Sequence, residues 1–454
     1  CLKCSRFVWH LGMSSRPPPV ALWPWLLGER LWLSFQVPYI GRTTRRSAGS
    51  VAIGPLSARR VLRREPLVGI ASFRVMCASR RRLATAAQDI EAQVQDFASR
   101  KPHPVSCQDI LSCLEPWRAA KFIHSEMPIR FAERIKWIEN VKNWREIPEL
   151  RQAHDIHMEA FVQLRSVARE PTLDAFTAVV RRATDNQREV VKLMATAMRR
   201  LQDRDGPEQC SSSFVDPFLD GFLLNRFGCN VLMSQYLALA QGDGERPTGI
   251  IDPLCDAAAV CRDAAGAVLE ITRDYTGHQP IVRVEARSAS GVDNGSPRFC
   301  YIPGALRYIM CELLKNSCRA TVEAVDASDG DLDRRPIDVV VCADPHNVAI
   351  CLSDRAGGIP FHIGSQVWSY LYSTAESECG FSARKANELA GFGVGLPLSR
   401  LYARYLGGSL DLISLPGYGT HAYLFMPRLE SEQLEVVPDM NFKFEYHSLG
   451  DHVL

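Results

Sequence analysis

Apolar residues in the first half of the chain recur every three or four positions, which is the spacing of one helix face. In the third of these stretches, Phe176, Val180 and Ala183 follow the spacing with charged residues between them. Proline and glycine clusters such as Asp205-Gly206-Pro207 interrupt the pattern. The pattern predicts an up-and-down bundle of four long helices with short connections, over residues 127–144, 147–168, 172–203 and 215–241.

After Thr276 the pattern changes to short alternating runs, which are typical of strands. The predicted strands are 280–286, 337–342, 348–352, 409–414 and 420–426. Helices are predicted around residues 312–321 and 396–406. Strands mixed with helices, after an all-helical half, predict an α + α/β fold: an N-terminal four-helix bundle followed by an α/β sandwich.

A chain of 454 residues is longer than one typical core. The pattern divides it into a leader, a helical domain, an α/β domain and a tail, over residues 1–88, 89–276, 277–430 and 431–454. The composition, with 46% hydrophobic and 23% charged residues, is that of a globular protein. No apolar stretch is long enough to predict a transmembrane helix.

Positive charge is concentrated in the leader. Residues 1–88 contain fourteen Arg and one Lys against only Glu29 and Glu65, a net charge of +13. The whole chain carries +2, so the remaining residues carry about −11, which argues against a nucleic-acid surface on the folded part. An Arg-rich, acid-poor N-terminal segment is typical of a mitochondrial transit peptide. A basic disordered arm for nucleic acid or lipid is the alternative.

The 15 cysteines follow no paired framework. Cys1 and Cys4 form a lone CxxC without a second pair at zinc spacing, so no metal site of this kind is predicted. Cys311 and Cys318 lie on a predicted helix, where a disulfide network is hard to build. These features favour a reducing compartment.

The predicted helix over residues 312–321, ELLKNSCRAT, has two different faces. Glu312, Asn316 and Arg319 lie at i, i+4 and i+7 on one stripe, with Lys315 beside them. The core-facing stripe is predicted to contain Ile309, Met310, Leu313 and Ala320. Taken alone, this is an ordinary amphipathic helix with a solvated charged face, so the motifs that follow it decide its function.

Three glycine-containing motifs follow this helix: DRAGG at 354–358, GFGVGL at 391–396 and GYGT at 417–420. A carboxylate after a strand, here Asp354, can accept the amino hydrogen of adenine, and the glycines beyond it leave room for the base. Glycines at a helix N-terminus let backbone N–H groups and the helix dipole hold phosphates. An Asn oxygen suits Mg²⁺, and a Glu one turn away can orient or deprotonate a nucleophile. Each motif alone occurs in ordinary turns, but the ordered set is specific for a nucleotide site.

The order and spacing of these motifs resemble the Bergerat ATP-binding fold of gyrase, ninety-kilodalton heat-shock chaperones, sensor histidine kinases and MutL. Within that group, ELLKNSCRAT, SDRAGGIP, LYSTAE, GFGVGLPLSR and GYGTHAYL are similar to the mitochondrial kinases of pyruvate dehydrogenase and branched-chain 2-oxoacid dehydrogenase. The likeness extends upstream through MPIRFAERIKW and FLDGFLLNRFG, and it covers about residues 105–430.

The resemblance implies a helical bundle and a C-terminal ATPase domain in a kinase of the mitochondrial matrix. The implied substrate is a serine of the dehydrogenase E1 alpha subunit, whose phosphorylation inactivates the complex. The implied partners are the lipoyl domain of E2 and a second copy of the chain. ATP and Mg²⁺ are the implied cofactors, with K⁺ as a further candidate.

Matching positions assign candidate roles to residues. Glu312 resembles the family's general base, Asn316 its Mg²⁺ ligand and Asp354 its adenine-binding carboxylate. The other ATP-binding candidates are Lys315, Arg319, Gly358, Ser373, Thr374, Gly391, Phe392, Gly393, Val394, Gly395, Leu396 and Thr420.

Four departures from the family pattern bear on activity and substrate. Ala356 stands where the family usually has Gly, a change that costs little unless φ there is positive. Tyr236 stands where the bundle of relatives has a His, so no imidazole role carries over. Tyr308 stands where pyruvate dehydrogenase kinases have His, as in the branched-chain enzyme. The tail over 431–454 lacks the Asp-Trp pair of the pyruvate dehydrogenase kinases. The last two favour the branched-chain complex slightly.

Other architectures fit less well. The chain has no Walker A motif, HRD or DFG, and His154-Asp155 is a poor match to a histidine-kinase phosphoacceptor. The alternative from another class is a catalytically weak relative that acts as a lipoyl-domain binding and regulatory module. Retention of both Glu312 and Asn316 favours the active kinase.

Overall fold

The computed structural model describes residues 88–167, 172–206, 210–241, 249–288, 296–328, 332–372, 393–428 and 435–438. It confirms the predicted fold class, with a helical N-terminal part followed by a mixed sheet with helices. Nearly all of the predicted leader and most of the predicted tail lie outside these ranges. Within them, no helix is long and apolar enough to cross a membrane.

The N-terminal part is a bundle of helices. Helix α4 packs against α3, α5 and α6, and α7 packs against α3 and α5. Large apolar side chains such as Phe131, Phe218 and Phe222 are fully buried between them. The helices are α1 over residues 88–98, α2 Cys107–Ser112, α3 Pro116–Glu139, α4 Pro148–Ser166, α5 Leu173–Asn186, α6 Val190–Asp205 and α7 Ser212–Gln241.

The first long helix has different bounds from those predicted. Helix α3 begins at Pro116 rather than at residue 127, continues through Pro128, and ends at Glu139. An internal proline removes one helical hydrogen bond, and the long buried face of α3 outweighs that loss. Asn143, in the left-handed region at φ 55°, redirects the chain after it.

The helix predicted over 172–203 is two helices. A 3₁₀ turn, Gln187–Glu189, divides it into α5 and α6. The buried side-chain oxygen of Gln187 accepts a hydrogen bond from Arg134 Nη1 at 2.8 Å. The backbone carbonyl of Gln187 accepts one from Arg226 Nη2, also at 2.8 Å. These contacts with α3 and α7 hold the tightened turn, and the hydrophobic period does not reveal them.

The C-terminal part contains a five-stranded sheet in the order β2-β4-β5-β7-β6, in which only β2 and β4 are parallel neighbours. All five of these strands were predicted. A two-stranded sheet of β1 and β3 was not, because both are short and β1 contains Pro253 and a register shift. The strands are β1 Asp252–Asp256, β2 Val282–Ser288, β3 Arg298–Tyr301, β4 Ile337–Ala343, β5 Asn347–Ser353, β6 Ser409–Leu415 and β7 Gly419–Pro427.

Helix α8, Ala257–Thr276, belongs with the sheet. It packs against α9, Pro303–Ser328, and against β2 and β4. Asp256 caps its start by accepting a hydrogen bond from the Ala259 N–H at 2.9 Å, and Gly277 at φ 74° ends it. Helix α8 therefore packs with the α/β part, although it precedes the domain boundary predicted after Thr276. That boundary stays a prediction.

Helix α10, Gly395–Tyr405, joins the two parts. It packs against α9, β6 and β7 on one side and against α7 of the bundle on the other. The Tyr402 ring stacks on Phe227 with centroids 3.8 Å apart, and Tyr405 meets the same ring edge-on at 4.8 Å. Both domains therefore hold this helix in position.

The described part of the tail is anchored at the same junction. Glu435 exchanges hydrogen bonds with the backbone of Val105, and its carboxylate pairs with Arg130 and accepts the Tyr405 hydroxyl at 2.5 Å. Burial alone would lower the pKa of Arg130, but the Glu435 carboxylate raises it well above its ordinary value. The tail thus contacts both the bundle and α10.

Gly266 lies in the middle of helix α8, on the face that is exposed to solvent. A Cβ built there meets nothing within 4 Å. Gly266→Ala should raise the free energy of unfolding by about 0.5–1 kcal/mol, because Ala has less backbone freedom to lose. Urea unfolding of both proteins measures the difference. A destabilised variant would show that this face of α8 is covered.

Candidate nucleotide-binding site

A cavity of about 360 Å³ lies between helix α9, the end of β5 and the start of α10. It brings together residues that are more than 100 positions apart in the chain. The predicted residues on its wall are Glu312, Asn316, Arg319, Asp354, Gly358, Gly393, Gly395, Leu396 and Thr420. Ser373, Thr374, Gly391 and Phe392 lie outside the described residues.

Helix α9 forms one wall of the cavity. Glu312, Asn316 and Arg319 line it, as their shared stripe predicted, and Glu323 extends the stripe by one turn. Ala320, predicted to face the core, is only half-buried and also lines the cavity. The stripe that faces the cavity is therefore wider than the polar residues alone indicate.

Lys315 differs from its prediction. It is buried and does not line the cavity; its Nζ pairs with Glu312 Oε1 at 2.6 Å. The side chains of the pair are only 7% and 14% exposed, so this ion pair is shielded from water more than a surface pair. We infer that Lys315 orients the Glu312 carboxylate rather than contacting a ligand.

The start of helix α10 lies directly against Glu312. A Cβ built on Gly395 would lie 2.3 Å from Glu312 Oε2, so any side chain at this position would displace the carboxylate. Behind Glu312, the buried Tyr308 ring lies 4.8 Å from Tyr402. Burial, and then the Glu312 charge, raises the pKa of Tyr308 well above its ordinary value, so it remains a neutral phenol. Val394, the residue before Gly395, is buried and does not line the cavity.

Asp354 lies at the opposite end of the cavity and is 5% exposed. Its Oδ1 accepts hydrogen bonds from the Ala356 and Thr420 N–H groups, each at 3.1 Å. Its Oδ2 accepts the Ser317 hydroxyl at 2.9 Å. These bonds fix the carboxylate and leave lone pairs on its oxygens for a further donor.

The glycines beside Asp354 allow close backbone approach. A Cβ on Gly358, at φ 73°, would lie 2.3 Å from the Leu415 carbonyl oxygen, and one on Gly419 would lie 2.1 Å from that of Asp354. Ala356 needs no such freedom, because the non-glycine residues with positive φ in the described ranges are Asn143 and Leu371. The substitution at Ala356 therefore introduces no left-handed strain.

Apolar side chains complete the cavity next to Asp354, and the sequence motifs, which contain several of them, did not assign them to the site. They come from separate elements, so no local signal groups them. With Leu313, Ser317 and Glu323, they are the lining residues to which the prediction gave no role in the site: Leu352, Ile359, Pro360, Ile363, Val367, Tyr372, Pro397, Leu412 and Ala422. A carboxylate at the edge of an apolar slot is suited to a flat ring that carries a hydrogen-bond donor.

The side chains present fit a weakly held Mg²⁺ ion. Asn316 lines the cavity and is exposed in it, one helical turn from Glu312. Among the described residues, no group of three or more His, Cys, Asp or Glu could hold a metal. Mg²⁺ commonly keeps several waters and binds through one or two protein oxygens plus phosphates, and Asn316 can supply one such oxygen.

A second depression, of about 500 Å³, lies on the outer side of α5. Its lining includes Asp174, Arg181 and Asp185, and it contains none of the predicted site residues. It is a shallow, charged surface rather than a slot for a ring. The α9 cavity is therefore the better candidate.

Comparison with known proteins supports the same conclusion. Residues 106–252 match the family model described as mitochondrial branched-chain alpha-ketoacid dehydrogenase kinase. Residues 302–430 match the model of histidine kinase-, DNA gyrase B- and HSP90-like ATPases. The two matches cover the bundle and the domain that contains the cavity.

Several curated relatives are mitochondrial [pyruvate dehydrogenase (acetyl-transferring)] kinases. Human isozyme 4 is 30% identical over 375 residues, 78% of this chain and 88% of that protein. Human isozyme 3 is 30% identical over 368 residues, with 78% and 90% coverage. The Drosophila melanogaster enzyme is 30% identical over 366 residues, with 77% and 88% coverage. The chain therefore belongs to the family of mitochondrial 2-oxoacid dehydrogenase kinases, whose C-terminal domain is a histidine kinase-, gyrase- and HSP90-like ATPase.

Proposed function

We propose that this protein is an ATP-dependent kinase that phosphorylates a serine of the E1 alpha subunit of a mitochondrial 2-oxoacid dehydrogenase complex and inactivates the complex. One observation carries the proposal: Glu312 and Asn316 line the same cavity as Asp354 and the glycines at the start of α10. The names of the relatives, which are pyruvate dehydrogenase kinases, support the substrate class.

The geometry supports a separate role for each part of the cavity. Asp354 accepts a hydrogen bond from the adenine amino group. The phosphates are held by the N-terminus of α10 and the residues just before it, Gly393 to Leu396. The Glu312 carboxylate, held by Lys315 at 2.6 Å, accepts or orients the proton of the acceptor serine hydroxyl. The γ-phosphoryl then passes in line from the β-phosphate oxygen to that hydroxyl. Arg319 and Thr420 are further contacts on the cavity wall.

Asn316 is the proposed ligand of Mg²⁺, which supplies charge neutralisation for the phosphates when it is bound. Asn316→Ala should weaken binding of ATP in the presence of Mg²⁺ by about tenfold, because it removes one protein oxygen from the ion. The same variant should bind ATP in EDTA with the wild-type affinity. Calorimetric titrations with and without Mg²⁺ measure both values. An equal loss in the two conditions would contradict the metal-ligand role; K⁺ stays a prediction from the family resemblance.

The branched-chain complex is the slightly favoured substrate. Tyr308 is buried behind Glu312, at the position where the family resemblance gives the pyruvate dehydrogenase kinases a His. The bundle matches the branched-chain kinase model over residues 106–252. Incubating the protein with Mg-ATP and each purified complex in turn, then measuring phosphoserine on E1 alpha, tests the preference. Faster phosphorylation of pyruvate dehydrogenase would reverse it.

The same experiment separates the kinase from the alternative. A catalytically weak relative that serves as a lipoyl-domain binding and regulatory module would bind E2 and phosphorylate neither complex. The proposal has two further parts. The protein docks on the E2 lipoyl domain through the helical domain over residues 89–276, and it lies in the matrix after removal of the leader over 1–88. The tail over 431–454 is proposed as a separate segment that contacts the bundle through Glu435.

A homodimer is also proposed, and the sheet offers a surface for it. Ile413, Leu415 and Phe425 are 55%, 50% and 45% exposed on the side of β6 and β7 that faces away from α10. The Tyr423 and Phe425 rings lie 6.4 Å apart on the same side. Sedimentation velocity over a range of concentrations tests this association.

A further inference from the structure

Two carboxylates of the bundle contact the chain segment that leads into the cavity. Asp216, on α7, accepts a hydrogen bond from the Tyr370 N–H at 2.8 Å and another from the Ser369 hydroxyl at 2.8 Å. Asp220, one turn later, accepts the Tyr370 hydroxyl at 2.8 Å. These bonds join residues about 150 positions apart and connect the bundle to residues 369–372 of the C-terminal domain.

The two carboxylates have few other strong partners. Burial is the largest influence on each, and it raises the pKa of Asp216 and of Asp220 above the ordinary value. Two arginines of α10 are near Asp220: Arg404, whose Nη1 lies 3.7 Å from Oδ2, and Arg400, and both act to lower its pKa. Each aspartate is partly shielded from water, and its hydrogen-bond partners are N–H and hydroxyl groups of residues 369–370. Such bonds to a charged group hold a segment in one conformation.

The segment that they hold adopts an unfavourable backbone conformation. Leu371 is at φ 68°, in the left-handed region that non-glycine residues rarely adopt. Its N–H donates to the Gly393 carbonyl at 3.1 Å, and a Cβ on Gly393 would lie 2.9 Å from Tyr372 O and from Leu371 C. Such conformations persist where surrounding contacts over-determine them. Here those contacts are the two aspartates on one side and Gly393 on the other.

The next residue, Tyr372, lines the cavity, as do Gly393 and Gly395. Three consecutive residues therefore connect the bundle to the cavity: Tyr370 is bonded to the two aspartates, Leu371 follows it, and Tyr372 lines the cavity. A shift of Tyr370 away from α7 would release Leu371 and move Tyr372 and Gly393, which pack against each other.

We propose that Asp216 and Asp220 are positioning residues for the nucleotide site, through which the helical bundle sets the affinity of the C-terminal domain for ATP. The inference rests on the proposed function, because it takes the α9 cavity as the ATP site. The two aspartates do not line the cavity, so they act on nucleotide binding through residues 369–372.

Asp216→Ala should raise the Kd for ATP about tenfold, as expected when hydrogen bonds to a charged group are lost. Asp216→Asn should stay within about threefold of wild type, because the amide oxygen still accepts from the Tyr370 N–H. Tyr370→Phe, which removes only the bond to Asp220, should give an intermediate Kd. The matched control is Asp203→Ala, an exposed aspartate of α6, which should leave the Kd unchanged.

Isothermal titration calorimetry of the full chain with ATP measures these values, with urea unfolding of each variant alongside. A merely structural role predicts a lower unfolding midpoint and an unchanged Kd for folded Asp216→Ala, and that result would overturn the proposal. If Asp216→Ala does not fold, an unchanged Kd for Tyr370→Phe would overturn it instead. Failure of the wild-type protein to bind ATP would overturn the proposed function itself, and the inference with it.

Discussion

Glu312→Gln should lower the rate of serine phosphorylation by about 10²–10⁴-fold, the usual contribution of a positioned general base. Glutamine keeps the size of the side chain and can still contact Lys315, but it cannot take a proton from the acceptor hydroxyl. The Kd for ATP should change by less than about threefold, since the Glu312 carboxylate is proposed to face the acceptor. Initial rates of phosphoserine formation and calorimetric titrations with ATP measure the two effects.

The variant leaves the buried Lys315 without its counter-charge, so a loss of stability must be separated from a loss of chemistry. Removing one partner of a shielded pair destabilises proteins, and urea unfolding measures this for Glu312→Gln. Glu270→Gln is the control, because Glu270 is an exposed glutamate of α8 that does not line the cavity. Wild-type phosphorylation by folded Glu312→Gln would rule out Glu312 as the base.

Asp354→Asn should weaken ATP binding by about 10- to 100-fold, which is the range for losing a hydrogen bond to a buried charged group. The Ala356 and Thr420 N–H groups both donate to Oδ1, so the asparagine oxygen must take that position. Its NH₂ group then replaces Oδ2 next to Ser317. A donor would face the adenine amino group where an acceptor is needed.

Asp344→Asn is a matched control for this prediction. Asp344 also accepts two backbone N–H groups in a turn of the same domain, from His346 at 2.7 Å and Asn347 at 2.6 Å, but it does not line the cavity. Calorimetry should give a wild-type Kd for Asp344→Asn. Equal Kd values for Asp354→Asn and wild type would exclude Asp354 as the adenine contact.

Local patterns predicted the elements that have a regular period and a long buried face. The five strands of the main sheet and the stripe of Glu312, Asn316 and Arg319 are of this kind. Strands β1 and β3 escaped prediction because β1 contains a proline and shows no alternation, and β3, with four residues, is too short for its alternation to be recognised. The break between α5 and α6 also escaped, since it depends on Arg134 and Arg226 from other helices.

Tertiary contacts also explain where the site differs from its prediction. Lys315 is the exception, because its ion pair with Glu312 is a local i,i+3 contact on α9, but its burial away from the cavity depends on the fold. Ala320 has the spacing of a core residue, and only the fold reveals that the cavity lies against it. The link from Asp216 to Tyr370 spans two domains, so no sequence window contains both residues.

Transfer of labelled γ-phosphate from ATP to a serine of E1 alpha is the most direct test that this cavity is the ATP site of a 2-oxoacid dehydrogenase kinase. Wild-type protein should label E1 alpha in at least one of the purified branched-chain and pyruvate dehydrogenase complexes, with a parallel loss of dehydrogenase activity. Glu312→Gln should not label it at a comparable rate. Wild-type protein that binds ATP and labels E1 alpha in neither complex would contradict the assignment and favour a binding module.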